Sequence, residues 1–390
     1  MVIPTEICGR PMTDSPGKIK IAFVIWTLEG MAGSEKVVFD IVRNLDKRKY
    51  ELFLLSFKDG PIRNLYENLG VKVKTFLKEK KCDLNFIRAF RNYLVEENID
   101  ILNAHHLSTF YWSFLSAQKT GIKILFTEHS VWQLEELDLT KKILNRILFG
   151  RVDGLVAISE QIKQYYLEKL KLNENKVYLI ANGIDLNRFR KVAADYKKLE
   201  LGFRLEDKII GMVANIRPEK NHKLLLSAFT KMAKEMKDLH LLLVGLDCMD
   251  GEVQGIARKL EVADRIHFLG NRGDVPEILN ILDIFCLTSF HEGLPISLLE
   301  AMACEVPVVG SDVLGINEVI KHKENGFLFP IDDEEILINS IRNLLINDEL
   351  RKTIGRIGRV YVQENYNLER KMENYNVLFR HLKYSGSQCG

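Results

Sequence analysis

Residues 289–312 read SFHEGLPISLLEAMACEVPVVGSD, and they set two carboxylates, Glu292 and Glu300, on either side of a Gly-Leu-Pro turn and the start of an apolar run. A buried acid costs several kcal/mol unless something satisfies it. Glu300, among Leu, Ala and Met, therefore calls for a wet helix face or a ligand that meets the carboxylate. The preceding IFCLTS reads as a strand, so FHEG is the loop at its carboxyl end. Pro295 suits the first helical turn, where a missing N–H costs nothing, and the helix is expected to run to about Cys304. Gly293 lets a ligand approach the backbone, and the open N–H groups of the helix start can hold a phosphate. Ser297, Glu300, Ala301 and Cys304 share one helical face, while Leu298, Leu299 and Met302 lie largely on another and read as core. A carboxylate so placed accepts from paired hydroxyls, as an acid does on ribose in dinucleotide folds. Glu292 can take the hydroxyls of a second polyol. The plainer alternative leaves Glu300 solvated and makes Glu292 a helix cap.

Working outward, short runs rich in Val, Ile and Leu alternate with amphipathic stretches on both sides. The first half offers KIKIAFVI, YELFLLSF, VKVKTF, ILNAHH, KILFTEH, GLVAIS and KVYLIANG as strands. Near residue 208 the pattern restarts with KIIGMVANI and continues through HLLLVG, RIHFLG, IFCLTS, VPVVGS and GFLFP. Nearly continuous apolar strands separated by helices indicate parallel sheets covered on both faces. The fold class is therefore α/β, with two doubly wound, Rossmann-like domains at 18–185 and 205–362, facing across a cleft. Residues 1–17 read as a flexible leader, 186–204 as a linker, 363–384 as a C-terminal helical segment that crosses back to the first domain, and 385–390 as a frayed tail. In such sheets ligands bind beyond the carboxyl ends of the strands.

The bulk numbers narrow the class. The 390 residues are 46% hydrophobic and 28% charged, with a net charge of +2, which gives no argument for nucleic acid as a partner. The six cysteines show no CxxC pair and no metal spacing, which fits a reducing, cytoplasmic compartment without a disulfide framework. The N-terminus lacks the apolar core of a signal peptide, and no run reaches the length of a spanning helix. The expectation is a soluble protein, or one attached at most to the inner face of a membrane.

Other strand ends carry reactive residues. VANIRPEKNH closes the first strand of the second domain and supplies Arg217 and Lys220. LLLVGLDCMDGE has Gly245 where the backbone can be approached closely. WTLEGMAGSEKVV leads from the first strand into a helix, with Ala32, Gly33, Ser34 and Glu35 at the turn, and is not a GxGxxG fingerprint; an ordinary turn capped by Ser34 explains it equally. His105, His106 and His129 end neighbouring strands and suggest a metal, but no acid-rich run accompanies them. LTKKILNRILFGR, residues 139–151, sets Ile143, Leu144, Ile147 and Leu148 beside Lys141, Lys142, Arg146 and Arg151. Such a helix lies either against a core with a solvated face or in a membrane interface.

Taken together, Glu292-Gly293-x-Pro295-x-x-x-x-Glu300-Ala301 closely resembles the E-x7-E signature of the family four, group one glycosyltransferases, retaining enzymes of the GT-B fold. RIHFLGNRGDVPEILNILDIFCLTS, VPVVGSDVLGINEVIKHKENGFLF, VAISEQIKQYYL and VYLIANGID resemble further parts of that family. The resemblance implies transfer from a nucleotide-sugar donor to a glycan, lipid-linked or small-molecule acceptor, with no metal and no cofactor besides the substrate. It implies that Glu300 holds the nucleotide ribose and Glu292 the donor sugar. Amides near Gly293 and Leu294 would meet sugar or phosphate. Lys220 would bear the diphosphate charge, since fixed cations stabilise a leaving group as its charge grows. The family pattern resembles G-R-L-x-P-E-K-G; aligned on Pro218-Glu219-Lys220, Asn215 stands at the usual Arg, and Arg217 is offset by two. Gly245 stands in a Val-Gly-Asp-Gly pattern read here as Gly245-Leu246-Asp247. Gly33 and Ser34 lie in a Gly-Gly-x-Glu loop facing the diphosphate, with Ala32 at its first glycine, and His129 would contact the donor sugar. The rivals are an epimerase or phosphorylase of the same plan and a non-catalytic sugar-nucleotide-binding paralogue.

Overall fold

The computed structural model describes residues 17–31, 33–77, 83–130 and 132–385. The chain divides into two compact units, residues 1–182 with 369–390, and residues 183–368. Each is built on one parallel sheet. In the first unit β1 (Ile19–Thr27), β2 (Tyr50–Lys58), β3 (Lys72–Thr75), β4 (Ile101–His105), β5 (Lys123–Glu128), β6 (Gly154–Ala157) and β7 (Val177–Leu179) take the order β3-β2-β1-β4-β5-β6-β7. Ile21 of β1 lies opposite Leu52 on one side and Ile101 on the other. In the second unit β8 (Lys208–Val213), β9 (Leu239–Val244), β10 (Ile266–Gly270), β11 (Ile284–Leu287), β12 (Val308–Ser311) and β13 (Phe327–Phe329) take the order β10-β9-β8-β11-β12-β13. Central strands such as Ile21–Val24 and Ile284–Leu287 are buried on both faces, which is why their sequences are apolar runs rather than alternations.

Both orders reverse at one place, between β1 and β4 in the first unit and between β8 and β11 in the second. Connections leave in opposite directions there and open a crevice at the carboxyl ends of the two strands, where doubly wound sheets bind ligands. Lys220 follows β8 and Glu292 follows β11. Gly33 and Ser34 follow β1, and His105 ends β4.

Three expectations need correction. The segment taken as a linker is built into the second unit: the amide of Val192 donates to Asn280 Oδ1 at 2.8 Å, and Lys197, on the short helix Asp195–Glu200, pairs with Asp274 at 3.0 Å. Its polar composition reflects ion pairs, not freedom. The helix Leu139–Phe149 does not put its aliphatic face against a core. Asn145 and Phe149 are the buried residues, and Ile143, Leu144 and Ile147 are exposed. Ser34 is not a cap, because the helix Gly33–Asn44 begins before it, and its hydroxyl donates to Glu35 Oε2 at 3.0 Å. Ala32, the leader through residue 16 and the tail from 386 lie outside the described residues.

The C-terminal helix Leu368–Tyr384 joins the first unit from Glu369 onward. Phe379 sets its ring edge-on to Phe23 and Tyr50, at 6.2 and 6.1 Å between centroids, and Lys383 binds the Asp100 carboxylate at the foot of β4.

Candidate functional site

In the second unit the site grows from three neighbouring strand ends. After β8 the chain makes a 3₁₀ turn, Pro218–Lys220, and Asn221 takes the left-handed conformation that starts the next helix. Thr288, at the end of β11, donates its hydroxyl to the carbonyls of Lys220 and Asn221, and the amide of Phe290 donates to Glu219 O at 2.9 Å. The β8 and β11 loops are thereby stitched together. Ser311, at the end of β12, donates to Ser289 O at 2.6 Å. Glu292 Oε1 then accepts from Lys220 Nζ and from Ser289 Oγ, both at 2.6 Å. The side chains of this pair are partly open, Lys220 at 22% and Glu292 at 11%, so a ligand can reach both.

The question raised by Glu300 is answered by its burial: it is 2% exposed, and no wet face explains it. It stands on the helix Ile296–Ala303, close to Cys304, whose thiol is pushed up to about 12 by burial and by the Glu300 charge. Pro295 occupies the position before the helix, not its first turn as expected, and no side chain caps that start. Its first amides therefore face an unfilled acceptor position, with Gly293 alongside and Leu294 buried beneath. Glu292 is no cap, since its carboxylate is spent on Lys220 and Ser289. The thiols of Cys286 and Cys304 are both raised by burial and supply no nucleophile.

Arg217 is not drawn into this pair. It is half-exposed, and its carboxylate neighbour is Glu219 at 4.0 Å. Asn215 has a structural use, its Oδ1 accepting from the amide of Leu246 at 3.0 Å and tying the β9 loop to the β8 loop. Gly245 is required by packing: a Cβ there would lie 2.1 Å from Ala214 O. Beyond it Asp247 shapes the turn by accepting from the amides of Met249 and Gly251.

Sequence reasoning missed Thr288, Ser289 and Ser311, although hydroxyls closing two adjacent strands were there to be noticed. It also missed Gly315, at φ +85°, where a Cβ would come within 2.5 Å of Glu292 O. That glycine lets the β12 loop support the Glu292–Gly293 backbone, and Glu292 N donates to Leu314 O at 3.2 Å.

In the first unit His105 Nδ1 and His129 Nε2 are 2.9 Å apart, with their rings stacked at 5.2 Å. Burial, with the positive neighbours His106 and Lys371, holds both well below the usual imidazole range, so the pair is neutral. His106 differs. Burial lowers it, but the Glu128 carboxylate, 3.7 Å away, outweighs that and raises it. Glu128 itself is fully buried and accepts from the amides of His129 and Ser130. The three histidines thus pair with each other and with Glu128, and among the described residues no His, Cys, Asp and Glu converge as a metal set. Gly33 is exposed, and a Cβ there would meet nothing within 4 Å; packing does not demand a glycine.

Two nucleotide-fold units, a cation and carboxylate at one switch point and a buried acid behind an uncapped helix start are what the comparisons meet. Residues 195–361 match the family described as Glycosyl transferases group 1, and residues 31–188 match Glycosyltransferase Family 4. The chain belongs to the group 1, family four glycosyltransferases. Among its relatives is the N-acetyl-alpha-D-glucosaminyl L-malate synthase of Bacillus anthracis, 29% identical over 93% of this chain and 97% of that protein. Another is an Escherichia coli alpha-1,3-galactosyltransferase named for UDP-Gal and a GlcNAc-diphosphoundecaprenol, 23% identical over 94% and 98%. Among solved structures, Anabaena HepE in complex with UDP and glucose superposes with a TM-score of 0.81 at 20% identity, over 93% of this glycosyltransferase and 99% of HepE. That likeness shows the shared fold.

Proposed function

We propose that this glycosyltransferase moves a sugar from a nucleoside diphosphate donor to a lipid-linked glycan acceptor, with retained configuration and without a metal, from the cytoplasmic side of a membrane. The observation that carries the donor half is the Lys220–Glu292 pair at the β8/β11 switch point, in front of the uncapped start of the helix that bears buried Glu300. Lys220 offers a fixed ammonium to the diphosphate, and the helix-start amides offer further donors. Glu300 accepts from the ribose hydroxyls and Glu292 from hydroxyls of the transferred sugar. On donor binding the diphosphate competes with Glu292 for Lys220, which frees that carboxylate for the sugar. His129, neutral in its pair with His105, is the first unit's contact for the sugar, and Gly33 and Ser34 are its contacts for the diphosphate. Arg217 assists Lys220 from the turn they share. No side chain at the Lys220–Glu292 site is a plausible nucleophile, and the leaving phosphate is left to accept the acceptor's proton on the same face, a path that retains configuration.

The uridine donor and the lipid-linked acceptor are supported by relatives whose names carry UDP-Gal and diphosphoundecaprenol. The test combines a thermal-shift screen of nucleotide sugars, since a donor stabilises the folded state by mass action, with product analysis of the best donor on a polyprenyl-diphosphate sugar after exhaustive chelation. An α-linked product formed at full rate is expected. Loss of transfer that magnesium or manganese restores sinks the metal-free reading, and an inverted product sinks retention. Conversion of the donor without an acceptor would favour the epimerase reading.

A further inference from the structure

The helix Leu139–Phe149 turns an aliphatic stripe outward. Leu139, Ile143, Leu144 and Ile147 are 73%, 52%, 45% and 48% exposed. At 100° per residue they fall on one side of the helix, opposite Asn145 and Phe149, which are buried. Asn145 Oδ1 accepts from the Tyr111 hydroxyl at 2.6 Å, which fixes that polar face inward, against the preceding helix Leu107–Ala117. Contiguous exposed aliphatics mark a surface that something covers.

The charges beside the stripe say what covers it. Within the helix they are Lys141, Lys142 and Arg146, with Arg151 just beyond, and no acid lies between Leu139 and Arg151. Lys176 adds an ammonium at the C-terminal end, where it donates to Gly150 O and Val152 O at 3.1 and 2.9 Å. The acids Glu135, Glu136 and Asp138 gather ahead of the first turn. Asp138 is used there, accepting from the amide of Lys141 and pairing with its ammonium at 2.9 Å. Aliphatics bordered by cations fit an anionic bilayer: the side chains enter the boundary of the acyl region while Lys and Arg reach lipid phosphates. No helix among the described residues is long and apolar enough to cross a membrane, so contact through this helix is interfacial.

We propose that the helix Leu139–Phe149 is an interfacial anchor that lays the first unit on a membrane surface bearing anionic phospholipids. The anchor adds to the reading of a lipid-linked acceptor, and its test uses neither donor nor acceptor, so either can fail alone. The full chain is floated with vesicles of phosphatidylglycerol and phosphatidylcholine, and with phosphatidylcholine alone, over a range of salt. The wild type is expected to float with the anionic vesicles, less as salt rises. Ile143→Asp with Ile147→Asp should lower partitioning at least about tenfold, while its melting temperature stays near wild type because both positions are exposed. Lys141→Glu with Arg146→Glu should remove the preference for anionic over neutral vesicles and leaves the aliphatics in place. The proposal is overturned if the wild type ignores anionic vesicles or if the aspartate pair binds them equally. A concentration-dependent dimer in solution, abolished by the aspartate pair and accompanied by no vesicle binding, assigns the stripe to a second copy and overturns it as well.

Discussion

Glu292 and Glu300 are the same residue type eight positions apart, yet their surroundings give them different work. Glu292 is at a loop, held by an ammonium and a hydroxyl, and partly open. Glu300 is sealed into a helix behind a phosphate-sized opening. Removing a carboxylate that accepts charged hydrogen bonds costs about 1.5–3 kcal/mol, so Glu300→Ala should weaken nucleoside diphosphate binding by roughly one to two orders of magnitude. Glu292→Ala should spare the free nucleoside diphosphate and weaken the intact donor, because only the donor carries the sugar. Calorimetric titration of both ligands against both variants decides the matter, and unchanged nucleoside diphosphate affinity in Glu300→Ala overturns the ribose assignment. Arg217→Ala belongs in the same titration. Half-exposed beside Glu219, it should weaken donor binding less than Lys220→Ala does; an effect as large as that of Lys220→Ala would mean that the turn rearranges when the diphosphate binds.

At the scale of the element, the site depends on loops that touch backbone to backbone. A Cβ on Gly315 meets the Glu292 carbonyl, and its φ of +85° disfavours any side chain. Gly315→Ala should therefore displace the Glu292–Gly293 segment and cost about 1–3 kcal/mol of stability. Donor affinity should fall further than that of Gly33→Ala with respect to stability, since Gly33 has open space around it; melting curves of the two variants, with and without nucleoside diphosphate, separate packing from ligand approach. The strands were legible in the sequence because a strand buried on both faces must be an apolar run, and all the runs from KIKIAFVI to GFLFP contain one. What escaped were features fixed by partners distant in sequence. The segment 186–204 looked free because its polar residues gave no sign that Asn280 and Asp274 would hold it. Ile143 and Ile147 looked like core because periodicity reports that a face is apolar, not which way it points. Glu292 and Glu300 were found because strand, turn and helix start are local, whereas Ser289 and Ser311 act across neighbouring strands and Gly315 acts on a loop more than twenty residues away.

At the scale of the whole molecule, histidine burial sets how the fold answers acid. In the second unit His222 is buried beside Lys220, and burial followed by that charge lowers it to about 4. His240 and His267 are lowered in the same direction, chiefly by burial. An unfolded chain takes up these protons near the ordinary value of 6.5, whereas the folded unit does not take up the His222 proton until about 4. Between those limits the unfolded state holds more protons, so stability rises with pH and is lost as pH falls through 6.5. In the first unit His105 and His129 act in that sense and His106 acts against them. Lys371 is lowered by burial to about 8 and stays protonated across the window, so it adds no slope. Carboxylates lowered by ion pairs, such as Asp274, lose their contribution only at more acid pH. For His222 alone the difference between pH 7.5 and pH 5 amounts to about 2 kcal/mol, or roughly 5 °C in the melting temperature of a unit of this size. Scanning calorimetry from pH 7.5 to pH 5 should show the melting temperature falling. His222→Gln, which cannot take up the proton, should flatten that fall in the second unit's transition. A wild-type melting temperature that stays level across the range, or an unaltered slope in His222→Gln, would show that the buried ring carries its proton in the fold and that its neutrality was wrongly assigned.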